Sequence, residues 1–267
     1  MDQLKVSMYC TNNMSKKLNR YSAKSQGVWV PTDEEDARKE VPFLIQLFKK
    51  YGKVRSILDV GCGCGAHAHF LSKKGYSVEG VEPHPQMAEY ARKRYPNIIF
   101  RQNNMQGIRY RNEFDALICI HSIIVFNKSN EEALNTFKNF YNSLKKGGVL
   151  IIETYNSINW LANNSFRKEF VDIDRKKGEK AMVKEWINTN NQSYVSKRTY
   201  YSLKENKNLG SFTKESRMFF PLELKFFLEQ AGFKVIKMLS ADSLDKMKFS
   251  DAILNKRRLL VVAKKIR

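Results

Sequence analysis

An α/β fold, with strands and helices taking turns along the chain, is what this sequence of 267 residues predicts, on three observations. Ile57, Leu58, Asp59 and Val60 form a short strand-like run that enters a glycine turn, Gly61, Cys62, Gly63, Cys64, Gly65. Residues 66–74 then read as a helix stopped by Gly75. A second strand, Ser77, Val78, Glu79, Gly80, Val81, Glu82, ends in an acid. Strand, glycine turn, helix, strand is the unit from which open, mostly parallel sheets are built.

The remaining elements follow in order. Thr32, Asp33, Glu34 and Glu35 after Pro31 can form a capping box, opening a helix with Leu44, Leu47, Phe48 and Tyr51 on one face. Pro85 suits a first helical position, with Met87, Tyr90 and Ala91 as that helix's apolar stripe. Phe100 ends a third strand, and residues 114–120 form a fourth. Leu134, Phe137, Tyr141 and Leu144 recur at helical spacing, and Gly147 can end that helix in a left-handed conformation before a fifth strand that reaches Glu153. Alternation over 182–187 and 194–203, across Asn188, Thr189, Asn190 and Asn191, predicts antiparallel strands, with another following Gly210 through Phe212 to Phe219. Residues 221–231 read as a helix, Phe233 opens a strand after Gly232, and 258–263 form a closing strand.

Alternate glycines let the backbone approach a ligand closely, so the turn is the first candidate site. Two cofactors compete for it. Gly61, Gly63 and Ala66 formally meet the dinucleotide pattern G-x-G-x-x-G/A. Asp59, directly before Val60 and Gly61, tilts the choice: D-x-G-x-G-x-G resembles motif I of class I S-adenosylmethionine-dependent methyltransferases. Glu82 stands about 20 residues after the turn, where a ribose-binding carboxylate is expected.

The resemblance spans roughly residues 33–156 and 217–265. It implies a doubly wound, Rossmann-like, mostly parallel seven-stranded sheet with helices on both faces, plus a small antiparallel substrate-binding insert. It also implies S-adenosylmethionine as cofactor and S-adenosylhomocysteine as product. Asp59, Gly61, Gly63 and Gly65 would hold the methionine part, Glu82 the ribose, and Asn104 with Met105 the adenine, with Cys62 and Pro83 as further cofactor contacts. Cys119, Ile120 and His121 would lie near the sulfonium, and Tyr21 would either close over the cofactor or anchor a loop. Where relatives carry an aspartate at the adenine, Asn104 can both donate and accept.

The late insert resembles small-molecule methyltransferases, including those acting on amino groups of nucleotide-linked sugars. The expected division is a lid segment and first helix over 1–52, a cofactor core over 53–156, a substrate cap over 157–220 and a core-completing segment over 221–267. His121 is the candidate general base, with a packing or cofactor-contact role as its alternative. Glu153, Tyr155 and Asn156 at the end of the fifth strand, and Trp186, Tyr201 and Arg217 in the insert, are the candidate substrate contacts. Tyr200 shares the strand with Tyr201, and such aromatics are common in a strand core.

Composition narrows the partners. Hydrophobic content of 42% argues against disorder, and the longest apolar stretch, 116–126, is far short of the roughly 18 residues a membrane span needs. A cytoplasmic protein, monomeric or homodimeric, is expected. Four cysteines, Cys10, Cys62, Cys64 and Cys119, are too few and scattered for a secreted disulfide framework, and no metal is expected from Cys62-x-Cys64. His67 and His69 are expected to pack or hydrogen-bond locally. A formal charge of +20 would attract RNA, anionic membrane or a phosphorylated small molecule. The cations are scattered in pairs and triplets across elements, so methyl transfer to N or O of a small polar metabolite, anionic or not, is favoured over an RNA or protein methyltransferase that uses the basic surface.

Overall fold

A computed structural model describes residues 34–163, 168–175, 178–249 and 253–266. Tyr21, Trp29, Cys10 and the capping residues Thr32 and Asp33 lie outside the described residues. The chain runs α1 (Glu34–Tyr51), β1 (Ser56–Val60), α2 (Ala66–Lys73), β2 (Ser77–Glu82), α3 (Pro85–Arg94), β3 (Ile99–Gln102), β4 (Phe114–Cys119), α4 (Asn130–Ser143), β5 (Leu144–Tyr155) and α5 (Ser157–Ala162). It continues through β6 (Glu169–Asp174), β7 (Glu179–Asn188), β8 (Ser193–Ser202), β9 (Asn208–Arg217), α6 (Pro221–Gln230), β10 (Phe233–Ala241) and β11 (Arg258–Lys265).

Seven strands form one sheet in the order β10-β11-β5-β4-β1-β2-β3. The strands β5, β4, β1, β2 and β3 pair in parallel, while β11 runs antiparallel between β5 and β10. Successive strand residues feed opposite layers. Leu58, Leu117, Leu150 and Val261 pack with Phe137 and Phe140 of α4 and Leu224 of α6, whereas Ile57, Ala116, Ile151 and Val262 pack with Leu44, Leu47 and Phe48 of α1. Both faces of each central strand are apolar, so the sheet must be covered twice.

The order reverses between β1 and β4, the point at which an open α/β sheet leaves a crevice beyond its strand ends. Asp59 near the end of β1 and Cys119 at the end of β4 flank that crevice.

Three elements differ from expectation. The helix α4 ends at Ser143, and Leu144 already pairs with Phe114. Residues 145–148 loop out before Val149 pairs with Ala116, and Gly147, at φ +79°, serves this bulge. The insert holds a fourth strand, β6, whose exposed alternation Glu169, Val171, Asp172 carries little period-2 apolar signal. Its last strand, β9, begins at Asn208, ahead of Gly210. The insert sheet has the order β6-β7-β8-β9.

Candidate active site

The floor of the crevice is the glycine turn. Gly61, Gly63 and Gly65 all have positive φ, at +77°, +58° and +83°. A Cβ on Gly61 would meet the Ile123 side chain at 2.6 Å, and one on Gly65 would meet Phe100 at 2.6 Å. The turn is tied to β2 by the N–H groups of Gly61 and Cys62, both donating to the Val81 carbonyl, at 2.7 and 3.1 Å. The Gly63 N–H also donates to Glu82 Oε2 at 3.0 Å. Glu82 Oε1 accepts the His84 N–H at 2.9 Å, so two backbone donors aim the carboxylate and leave each oxygen a further lone pair. Burial raises the Glu82 pKa above its ordinary value, against those two donors. Pro83 is exposed, beside the mouth.

Asp59 is 2% exposed, and its Oδ2 is buried with no hydrogen-bond partner. Burial pushes its pKa up to about 7, opposed by His121 and helped by Glu82. An orphaned buried carboxylate oxygen is expensive, and a cationic ligand compensates it. The ammonium and sulfonium of S-adenosylmethionine fit that need, as the Gly turn and the Glu82 oxygens fit its remaining parts. Met105 is buried, with its sulfur 3.3 Å from Asn127 Nδ2. Asn104 is exposed, its Oδ1 accepting the Gly107 N–H at 2.7 Å while the side chain lines a groove of about 840 Å³ with Arg109, Phe126, Lys128 and Lys138.

Beyond β4 the backbone is strained. His121 and Ser122 adopt φ +58° and +63°, positions that cost a non-glycine residue about 1–3 kcal/mol each. Glu153 over-determines them. Its Oε2 accepts the His121 N–H at 2.7 Å, its carbonyl accepts the Ser122 N–H at 3.0 Å, and its carboxylate is paired with Arg258 of β11. Arg258 Nη2 also donates to Ser122 Oγ at 3.1 Å.

His121 is half-buried, its side chain 26% exposed, and its Nε2 lies 2.8 Å from Glu40 Oε2 of α1. The same oxygen lies 2.8 Å from Nε2 of the buried His67 on α2. These two histidines and Glu40 hold their donor atoms within 4.8 Å of one another, a spacing a metal could use, and the two hydrogen bonds already satisfy it. His69 packs locally instead, its ring stacked on Tyr95 with centroids 4.3 Å apart.

The expected substrate contacts divide. Tyr155 remains at the mouth, its ring 4.7 Å from Trp160, which in turn meets Tyr194 of the insert at 4.9 Å. Glu153 is 1% exposed and committed to Arg258 and the His121 N–H, so it shapes the loop rather than reaching outward. Asn156 is buried and donates to the carbonyls of Leu254 and Lys256 at 2.9 Å each. Arg217 is buried too, bonded at 2.6 Å to both Asn130 and Glu223, so it ties β9 to α4 and α6.

Strand parity puts Trp186 and Tyr201 on one face of the insert sheet. Trp186 follows Glu185 on β7, and Tyr201 follows Tyr200 on β8, so both point away from the face that carries Glu185, Tyr194, Ser196 and Lys214. Tyr194 is the one that meets Trp160, and β9 packs on the Ile123–Phe126 turn just past His121. Lys214 sits 5.4 Å from the Phe126 ring centroid, its pKa lowered to about 8 by burial and by Arg198.

Glu40, Ser122 and Arg258 around His121, together with Tyr194 and Lys214 in the insert, are residues that the sequence reading passed over. Glu40 left a signal, since it stands among Ala37, Val41, Leu44 and Leu47 on the buried side of α1, where an acid is out of place. Ser122 and Arg258 left none, because their roles depend on strand partners far along the chain.

A family model described as a methyltransferase domain matches residues 57–148. The dTDP-3-amino-3,4,6-trideoxy-alpha-D-glucopyranose N,N-dimethyltransferase of Streptomyces venezuelae is 32% identical over 119 residues, which cover 45% of this chain and 48% of that protein. The chain thus spans about half the length of the curated relatives it matches. Among solved structures, the CcbJ methyltransferase of Streptomyces caelestis superposes with a TM-score of 0.71 at 15% identity, covering 92% of this chain and 96% of the other. The sugar N-methyltransferase KedS8 of Streptoalloteichus sp ATCC 53650 superposes with a TM-score of 0.67 at 19% identity, covering 100% and 99%.

Residues 57–148, which begin with the glycine turn, match a methyltransferase domain, and the whole fold around them is one that solved methyltransferases share. Sequence relatives also include the dTDP-3-amino-3,6-dideoxy-alpha-D-glucopyranose N,N-dimethyltransferase of Streptomyces fradiae, 28% identical over 131 residues that cover 49% of this chain and 50% of that protein.

Proposed function

We propose that the protein methylates an amino nitrogen of a small polar molecule, a sugar or a nucleotide-linked sugar. The carrying observation is the half-open His121, locked just past the end of β4 near Asp59, at the switch point of the sheet. The names of its relatives support nitrogen as the acceptor.

Bound S-adenosylmethionine supplies an electrophilic methyl group on a sulfonium. The chain's own residues bind, orient and deprotonate. Asp59 offsets cofactor charge and Glu82 accepts from ribose hydroxyls. His121 takes the proton that an ammonium acceptor must lose before its nitrogen lone pair can form the new N–C bond. The aromatic group Tyr155, Trp160 and Tyr194 offers apolar faces to a sugar ring, while Ser196 and Lys214 offer polar contacts on the adjacent strands.

A second reading, methylation of RNA, is favoured by one observation: the groove beside Asn104 sets Arg109, Lys128 and Lys138 against a single acid, Glu132. Calorimetric titration with S-adenosylmethionine, S-adenosylhomocysteine and NAD is the first test, followed by transfer of labelled methyl to amino sugars, nucleotide-linked amino sugars, glycine and RNA. Binding of the sulfur compounds alone, with transfer to an amino sugar, is expected. Binding of NAD alone would overturn the assignment.

A further inference from the structure

We infer that Glu40 is the positioning residue of the active-site histidine: it holds the Nε2–H of His121, so that Nδ1 is the atom that accepts the substrate proton. The inference rests on the reading of His121 as the base, and the experiment below separates the two.

The geometry carries it. One oxygen of Glu40, 7% exposed, lies 2.8 Å from two imidazole Nε2 atoms. An ionised carboxylate only accepts, so each Nε2 must carry a hydrogen, and a neutral His121 is left with its lone pair on Nδ1. This is the arrangement of a base oriented by a carboxylate, with the two ring nitrogens exchanged relative to the serine-protease triad. Two donors from two different elements also prevent Glu40 from swinging aside: α1 supplies the acid, α2 supplies His67, and the loop after β4 supplies His121.

The two rings share a carboxylate and differ in surroundings, which divides their roles. Burial dominates at His67 and lowers its pKa despite Glu40, so it stays a neutral donor. Burial also opposes charge on His121, but the Glu40 hydrogen bond and charge outweigh it, with help from Glu153 and against Arg258, and its pKa is raised. Glu40 is itself held far below the ordinary carboxylate range, because the two imidazoles outweigh its burial. The charged and titratable groups facing His121 are therefore Glu40 from α1, His67 from α2, Asp59 from β1, Glu153 from β5 and Arg258 from β11. His121 alone among these combines a side chain 26% exposed with an imidazole whose hold on a proton the Glu40 carboxylate strengthens.

The chain has four histidines, so the imidazole nitrogens of uniformly 15N-labelled full-length protein can be assigned by single substitutions and followed through a pH titration. In the wild type, neutral His121 is expected to show a protonated Nε2 and a bare Nδ1. In Glu40→Gln, loss of the negative charge lowers the His121 pKa, so the midpoint moves to lower pH by about one unit, a tenfold change in proton affinity. The acid limb of kcat/KM moves the same way, and Glu40→Asp restores part of both. S-adenosylmethionine affinity within about threefold of wild type serves as the folding control.

An unmoved midpoint in folded Glu40→Gln would overturn the inference, as would a wild-type His121 protonated at Nδ1. Stoichiometric Zn2+ binding that shifts both rings would also overturn it, since the cluster would then be a metal site. Full methyl transfer by His121→Asn would instead sink the base assignment, while leaving the measured Glu40–His121 coupling intact.

Discussion

Asp59 is a carboxylate kept waiting for a cation. Its folded pKa of about 7 exceeds the ordinary 3.8, so the stability it contributes is complete below pH 4 and is lost as pH rises through 7. Cofactor binding should reverse this by favouring the charged form. Calorimetry near pH 6.5 in buffers of different ionisation enthalpy should therefore reveal proton release on S-adenosylmethionine binding. Asp59→Asn should bind the cofactor at least tenfold more weakly, while the ligand-free protein melts no lower than wild type at pH 8. Arg258 makes a second case at this scale. Arg258→Leu strands the buried Glu153 carboxylate and should cost about 3–5 kcal/mol in urea denaturation, and adding Glu153→Leu should recover much of it. The glycine turn, Asp59 and Glu82 were legible in the sequence because their chemistry lies within one strand–turn–helix–strand unit. The clamp on His121 was not, because Glu40 and Arg258 reach it from elements distant in the chain, and no spacing rule encodes such a meeting.

At the scale of elements, the turn between β1 and α2 accepts only glycine where it matters. Gly61→Ala would place a side chain at φ +77° and 2.6 Å from Ile123. The left-handed conformation alone costs about 1–2 kcal/mol. We expect a lower melting temperature and weakened S-adenosylmethionine binding, with Ile123→Ala in the same chain relieving the steric part only. Strands of the central sheet announced themselves by continuous apolar runs, as in 114–120 and 149–152, because both faces are covered. The insert obeyed a weaker signal. Alternation found β7 and β8 but not β6, whose residues are mostly exposed, and it could not say which parity faced the crevice. Trp186 and Tyr201 lie on the face opposite Tyr194 and Lys214, a parity that alternation alone does not reveal.

Across the whole molecule, the charge of +20 acts on stability and on partners. Self-repulsion is screened as salt shortens the Debye length from about 30 Å at 0.01 M to about 8 Å at 0.15 M. The melting temperature measured by fluorimetry should therefore rise over that range before levelling. Any RNA bound through the groove beside Asn104 should be lost steeply over the same range, whereas amino-sugar methylation should change little. No helix among the described residues is long and apolar enough to cross a membrane. The strand β11, last in chain order, is an interior strand, inserted between β5 and β10, and it carries Arg258. During synthesis, the cofactor turn can form while β5 still presents an unpaired, apolar edge to the ribosome's surroundings. A nascent chain would thus form its glycine turn well before β11 delivers the Arg258 that braces the loop holding His121.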